Sequence, residues 1–279
     1  MDLDVRSLLR WDGALPEPAA TPGAPKRAKA RRQVERLTPE LLELQRRLFA
    51  AGREGSAQRV LLVLQGRDAC GKDGVVKNVV GLLDPLAVRP TAFGRPTEEE
   101  LAHDFLWRFD RALPDPGQVG VFNRSHYEDV LVVRVHELVP EPVWQARYGQ
   151  IAAWEKGLVE GGCAVVKVFL HVSRAEQKTR LLDRLERPEK HWKVGSTDND
   201  ERGLWTDYDQ AYDAALRQTS TPAAPWYVVP ADHKWYRDWA LAHLLLDTLR
   251  ELDPQWPEPS DLDLPALRQE LLDEPAEKS

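Results

Sequence analysis

Gly66-Arg67-Asp68-Ala69-Cys70-Gly71-Lys72-Asp73-Gly74 lies between the apolar run Val60-Leu61-Leu62-Val63-Leu64 and the segment from Val75 to Leu83. An apolar run this short suits a buried parallel strand, and the segment after the loop reads as a helix. Strand, glycine loop and helix match the G-x-x-x-x-G-K half of a P-loop. Gly66, Gly71 and Gly74 let the backbone N–H groups around Ala69 and Cys70 curl about phosphate oxygens, and the helix N-terminus adds partial positive charge. Lys72 brings a full charge to the same anion. One position departs from the pattern. Ser or Thr normally follows the lysine and holds Mg2+, but here Asp73 does. With Asp68, two carboxylates sit beside the expected polyanion and repel it unless a cation lies between them. The loop reads as a site for metal-bridged phosphate.

Outward from the loop, further strands are predicted at Leu86–Pro90, Val119–Asn123, Ala164–Leu170 and Trp226–Pro230. Helices are expected at Pro39–Ala51, Glu141–Leu158, Arg174–Leu185, Thr206–Arg217 and Tyr236–Leu252, with a short capped one opening at Pro96-Thr97-Glu98. Strands alternating with helices imply an α/β fold, a five-stranded parallel sheet with helices on both faces. Such sheets bind ligands beyond the carboxyl ends of their strands. Residues 1–33 read as a flexible basic arm, with Lys26, Arg27, Lys29, Arg31 and Arg32 clustered there. Residues 34–254 form the folded domain, and 255–279 an acidic tail.

At 279 residues with 42% hydrophobic and 30% charged residues, the composition is that of an ordinary globular chain. The net charge of −7 argues against a general nucleic-acid binder. No apolar stretch approaches the ~20 residues of a membrane helix, and the N-terminus lacks the layout of a secretion signal. Two cysteines give no disulfide framework. A cytoplasmic, reduced setting is expected, without membrane or nucleic-acid partners.

Two more clusters carry chemistry. Asn123-Arg124-Ser125-His126-Tyr127-Glu128-Asp129 follows the third strand directly, so Arg124, Glu128 and Asp129 should reach the same rim as the loop. Phosphoryl transfer needs cations on the moving charge and carboxylates for Mg2+. The plainer alternative is an Arg124–Glu128 ion pair at a helix start. Arg180, Arg184 and Arg187 recur at i, i+4, i+7, which puts them on one helix face. Leu181, Leu182 and Leu185 are expected to pack inward on the other. A row of arginines backed by leucines suggests a lid over about residues 180–205, hinged after Lys190-His191-Trp192-Lys193. The competing reading is a solvated face paired with Asp183, Glu186 and Glu189. His103, His136 and His171 read as structural, and the tryptophans mostly as core.

These three clusters, in this order, resemble the family-2 polyphosphate kinases, a branch of the P-loop kinases, over about Val34–Pro254. The resemblance implies a three-layer P-loop kinase fold with a helical lid. It also implies reversible, Mg2+-dependent transfer of the terminal phosphoryl group of inorganic polyphosphate to AMP or ADP. By position, Asp68 and Asp129 would handle the metal and orient the acceptor, Lys72 and Arg124 would neutralise the transferring group, and Arg180 would close from the lid. Polyphosphate and the nucleotide would also meet Gly66, Ala69, Cys70, Gly71, Asp73, Gly74, Lys77, Glu128, Arg184, Arg187, Lys190 and Lys193. The Glu128-Asp129 pair resembles the subgroup that accepts both AMP and ADP. Family members assemble as homodimers or homotetramers. An ATP-dependent kinase of the same fold is the nearest rival, though it would normally have Ser or Thr at position 73. A non-catalytic phosphate-binding module is another rival, whose signature, loss of Lys72 or of the Asp68/Asp129 pair, is absent.

Overall fold

The computed structural model describes residues 4–196, 198–258 and 262–273. Five strands, β1 (Arg59–Gln65), β2 (Val88–Ala92), β3 (Val119–Asn123), β4 (Cys163–His171) and β5 (Trp226–Pro230), form one parallel sheet in the order β2-β3-β1-β4-β5. The longer helices, with one short N-terminal helix, are α1 (Val5–Leu9), α2 (Arg27–Arg53), α3 (Lys72–Asn78), α4 (Glu141–Glu160), α5 (Arg174–Glu186), α6 (Trp205–Thr219), α7 (Lys234–Leu252) and α8 (Leu264–Asp273). Side chains of β1 alternate between two cores, as the strand period demands. Val60, Leu62 and Leu64 join residues of α2, α3 and α7, whereas Leu61 and Val63 join residues of α4 and α6. The sheet is therefore the middle layer of three.

Two expectations need correction. The stretch read as a loose arm is docked on the domain. Val5 and Leu9 are buried, the Trp11 amide donates to the Trp226 carbonyl at 2.9 Å, and the Tyr236 hydroxyl donates to the Pro22 carbonyl at 3.1 Å. The basic cluster then opens α2, which begins at Arg27 and runs straight through Pro39. Pro39 removes one backbone donor, but it is exposed, so water can satisfy the freed carbonyl. Leu37, Leu41, Leu44 and Leu48 on the buried stripe hold the helix together across it. Second, β2 starts two residues late because the Asp84 side chain accepts from the Leu86 amide and caps a 3-10 turn, Pro85–Ala87.

Candidate active site

The paired register fixes where the loops emerge. Leu64 lies opposite Asn123 and Gln65 opposite Phe169, so β1, β3 and β4 end at nearly the same height. A cleft of about 220 Å³ opens there, lined by Asp68, Lys72 and Asp73 of the loop, Arg124 after β3, and Arg184 and Lys193 from beyond β4. The loop backbone turns through left-handed positions at Gly66 (φ +147°), Ala69 (+57°) and Gly71 (+114°). Gly71 is favoured by its positive φ, and a neighbour adds to the demand, because a side chain at Gly71 would displace it. A Cβ there would lie 2.0 Å from Nη1 of Arg237, a buried arginine that pairs with Asp238 beneath the loop. Arg124 also holds a positive φ of 63°, a strain that costs of order 1–3 kcal/mol and clusters at functional sites.

Every charge in the cleft has a traceable partner except one. Lys72 folds back, donating to the carbonyls of Gly66 (2.6 Å) and Arg67 (3.2 Å). Arg184 donates to Asp68 at 2.7 Å. Asp73 accepts from Asn123 at 2.9 Å on one oxygen and is ion-paired with Lys193 on the other. Burial pushes the Asp68 and Asp73 carboxyls up, but Arg184 and Lys193 respectively, with Lys72, outweigh it and hold both below the usual carboxylate range. The Arg124 guanidinium makes no hydrogen bond or ion pair among the described residues. It is a cation placed in the cleft and left uncommitted.

On α5 the structure inverts the expected faces. Arg180 is 7% exposed, and Leu182 and Leu185 are 47% and 57% exposed. The arginines face the loop because its acceptors are there. Arg180 donates through Nη1 to the carbonyls of Ala69 (3.0 Å) and Cys70 (2.8 Å), through Nη2 to those of Ala231 and Asp232, and through Nε to Glu176. All its donors are engaged, Nη1 on the loop, Nη2 on the turn after β5 and Nε on its own helix. In this arrangement it is held beside the loop and does not join the cleft lining, where the sequence suggested a residue closing from the lid. Arg187 lies past the helix as its C-cap and pairs with Glu189. Lys190 pairs with Asp183, and Lys77 is exposed on α3. None of these three lines the cleft.

Asp129 also lies outside the lining. Arg147, which the sequence did not single out, donates to its carboxylate at 3.0 Å and its carbonyl at 3.1 Å. Burial nonetheless raises the Asp129 carboxyl to about 6, against the pull of Arg147 and Arg108. The same segment is anchored from below by a buried network. Lys167 of β4 donates to Glu155 of α4 (2.6 Å) and to the Tyr127 hydroxyl (3.0 Å), and His126 lies 3.1 Å from Glu155. Lys167 stands inside an apolar strand, and that was the readable sign that a buried carboxylate must face it. Arg67 stacks 3.9 Å over Trp205 and pairs with Asp209 at the start of α6.

No group of three or more His, Cys, Asp or Glu among the described residues forms a metal cage. A hard cation that works with phosphates needs only one or two carboxylates, its other ligands being phosphate oxygens and water. Asp68, ionised and 40% exposed at the cleft, fits that demand.

The family description "Polyphosphate kinase 2" matches residues 25–257 of the chain. The chain is 49% identical over 223 residues to the AMP/ADP-polyphosphate phosphotransferase of Meiothermus ruber, covering 80% of this chain and 82% of that one. It is 42% identical over 254 residues to the ADP-polyphosphate phosphotransferase of Rhodopseudomonas palustris, covering 87% and 84%. The crystal structure of polyphosphate kinase 2 from Arthrobacter aurescens TC1 superposes with a TM-score of 0.92 at 44% identity, covering 96% of both chains.

Proposed function

The chain belongs to the polyphosphate kinase 2 family, and from that premise we propose that it moves the terminal phosphoryl group of inorganic polyphosphate onto AMP or ADP, reversibly and with Mg2+. The observation that supports this most directly is the uncommitted Arg124 beside Lys72 in a cleft at the strand ends. A loose phosphoryl-transfer transition state spreads charge over equatorial oxygens, so positioned cations do most of the work. Lys72 exchanges the carbonyls of Gly66 and Arg67 for the transferring group, and Arg124 meets it from the β3 side. Asp68 would hold the divalent cation, which when bound draws charge off the phosphate oxygens. Asp129 and Glu128 orient the acceptor from behind Arg124, with Arg147 fixing Asp129. Arg180 keeps the loop in shape. Polyphosphate runs past Lys193 and Arg184, with Lys190, Arg187 and Lys77 further along its path.

No described helix is long and apolar enough to cross a membrane, and we assign the enzyme to the cytoplasm as a homodimer or homotetramer. The test is to incubate the protein with Mg2+, long-chain polyphosphate and either AMP or ADP, then separate the nucleotides. ADP or ATP formed with polyphosphate as sole donor is the expected result. Product only when ATP is supplied would make it an ATP-dependent kinase. Turnover of ADP but not AMP would remove the subgroup reading of Glu128.

A further inference from the structure

Asp73 occupies the position where an ordinary P-loop has a hydroxyl for Mg2+, and its two oxygens are used differently. One accepts from Asn123 at the end of β3, and the other pairs with Lys193, 120 residues away in the 3-10 turn Pro188–Lys193. One carboxylate therefore joins the loop helix, the strand that carries Arg124, and the segment after α5. The Lys193 backbone is tethered separately, its carbonyl accepting from Arg184 at 3.4 Å, but its ammonium is ion-paired with Asp73. Its neighbours Arg187 and Lys190 are paired with Glu189 and Asp183, away from it. We propose that Asp73 is a positioning residue, whose carboxylate holds the Lys193 ammonium at the cleft mouth, ready to be handed to a phosphate of the donor. The proposal rests on the reading that polyphosphate passes Lys193.

The two charges have opposite effects on a polyanion, and that separates positioning from mere structure. Lys193→Met removes an attractive charge and should raise the KM for polyphosphate and lower kcat. Asp73→Asn keeps the Asn123 hydrogen bond and removes a repulsive charge. It should lower kcat about 10-fold while KM for polyphosphate stays level or falls, a coupling within the range for contacting charges. The double variant should be no slower than Lys193→Met alone. Trp192, 78% exposed with its ring 4.8 Å from the Lys193 ammonium, gives a readout without turnover. Its emission is taken as the difference between each protein and its Trp192→Phe counterpart. In Asp73→Asn it should already resemble that of wild type saturated with polyphosphate. Additive losses, or unchanged Trp192 emission in Asp73→Asn, would overturn the proposal. So would a raised Mg2+ requirement in Asp73→Asn with Lys193→Met unaffected, which would make Asp73 a metal ligand. Wild type without polyphosphate-driven turnover would instead sink the functional reading, leaving the emission comparison to judge Asp73.

Discussion

At the scale of single residues, the arginines and lysines of the site divide by what their donors already do. Lys72 has only loop acceptors to give up, the carbonyls of Gly66 and Arg67 and the Cys70 Sγ, so Lys72→Ala should lower turnover at least ~100-fold with little change in stability. Steady-state kinetics beside a denaturant midpoint measures both. Arg180 is the opposite case, since its removal strands carbonyls of Ala69, Cys70 and Ala231 in a buried place. Each buried acceptor left unpaired costs about 1–3 kcal/mol, so Arg180→Met should lose at least ~2 kcal/mol of stability. A midpoint equal to wild type would return Arg180 to the lid role. His126 sets a pH dependence. Burial pushes its pKa below the ordinary imidazole value, Glu155 pulls it back, and Lys167 pushes it down again, leaving it lowered. Below about pH 6.5 the unfolded chain then binds a proton that the fold resists, so stability falls as pH drops through that range. Partly buried His171 and His243 add to the decline, and the raised Asp129 carboxyl opposes it. The difference between urea midpoints at about pH 7.5 and pH 5.5 should therefore shift toward greater relative stability at pH 5.5 in His126→Gln than in wild type.

At the scale of elements, α2 meets the turn before β3 at a point where two backbones nearly touch. A Cβ on Gly52 would lie 2.4 Å from Cα of Gly117. Alanine is favoured over glycine in a helix by about 1 kcal/mol, but overpacking costs typically ~1–3 kcal/mol, and backbone cannot step aside as a side chain can. Gly52→Ala should therefore destabilise, whereas Gly149→Ala in α4, with open space around the new Cβ, should stabilise by roughly 0.5–1 kcal/mol. Thermal melts of the pair decide it. The same contrast explains what the sequence could reveal. β3 and β5 lie at the predicted residues, and the loop, Arg124 and Arg184 converge as local patterns suggested, because period and strand ends are local facts. The face of α5 was misread because Leu181, Leu182 and Leu185 look like a core stripe, while the carbonyls that claim Arg180 lie 51 to 111 residues away. Arg147, Arg67 and Arg237 escaped notice for the same reason. Arg147 and Arg67 have their partners on other elements. Arg237, though paired with the adjacent Asp238, matters because it packs under Gly71 and Gly74; no spacing announces any of this. Lys167 alone carried a signal, a charge in the middle of an apolar strand.

For the molecule as a whole, the net charge of −7 says little about the field at the cleft. Most of the net negative charge belongs to the segment beyond Leu252, where eight of the 45 acidic residues, Glu270 and Asp273 of α8 among them, stand against two basic ones. At the cleft itself four cations, Lys72, Arg124, Arg184 and Lys193, face two carboxylates. A bound polyphosphate releases condensed counterions when it meets such cations, as other polyanions do, so its affinity should fall steeply with salt. A mononucleotide carries few charges and no comparable ion atmosphere, so its KM should respond much less. Plotted as the logarithm of KM against the logarithm of salt concentration, polyphosphate should give a rising line. Because each neutralised phosphate contributes about 0.7 to the slope for a single-stranded polyanion, Arg124→Met should lower it by roughly that amount. The slope for AMP should stay where it was. Equal slopes for the two substrates, or a polyphosphate slope unmoved by Arg124→Met, would mean that the polymer is held somewhere other than this cleft.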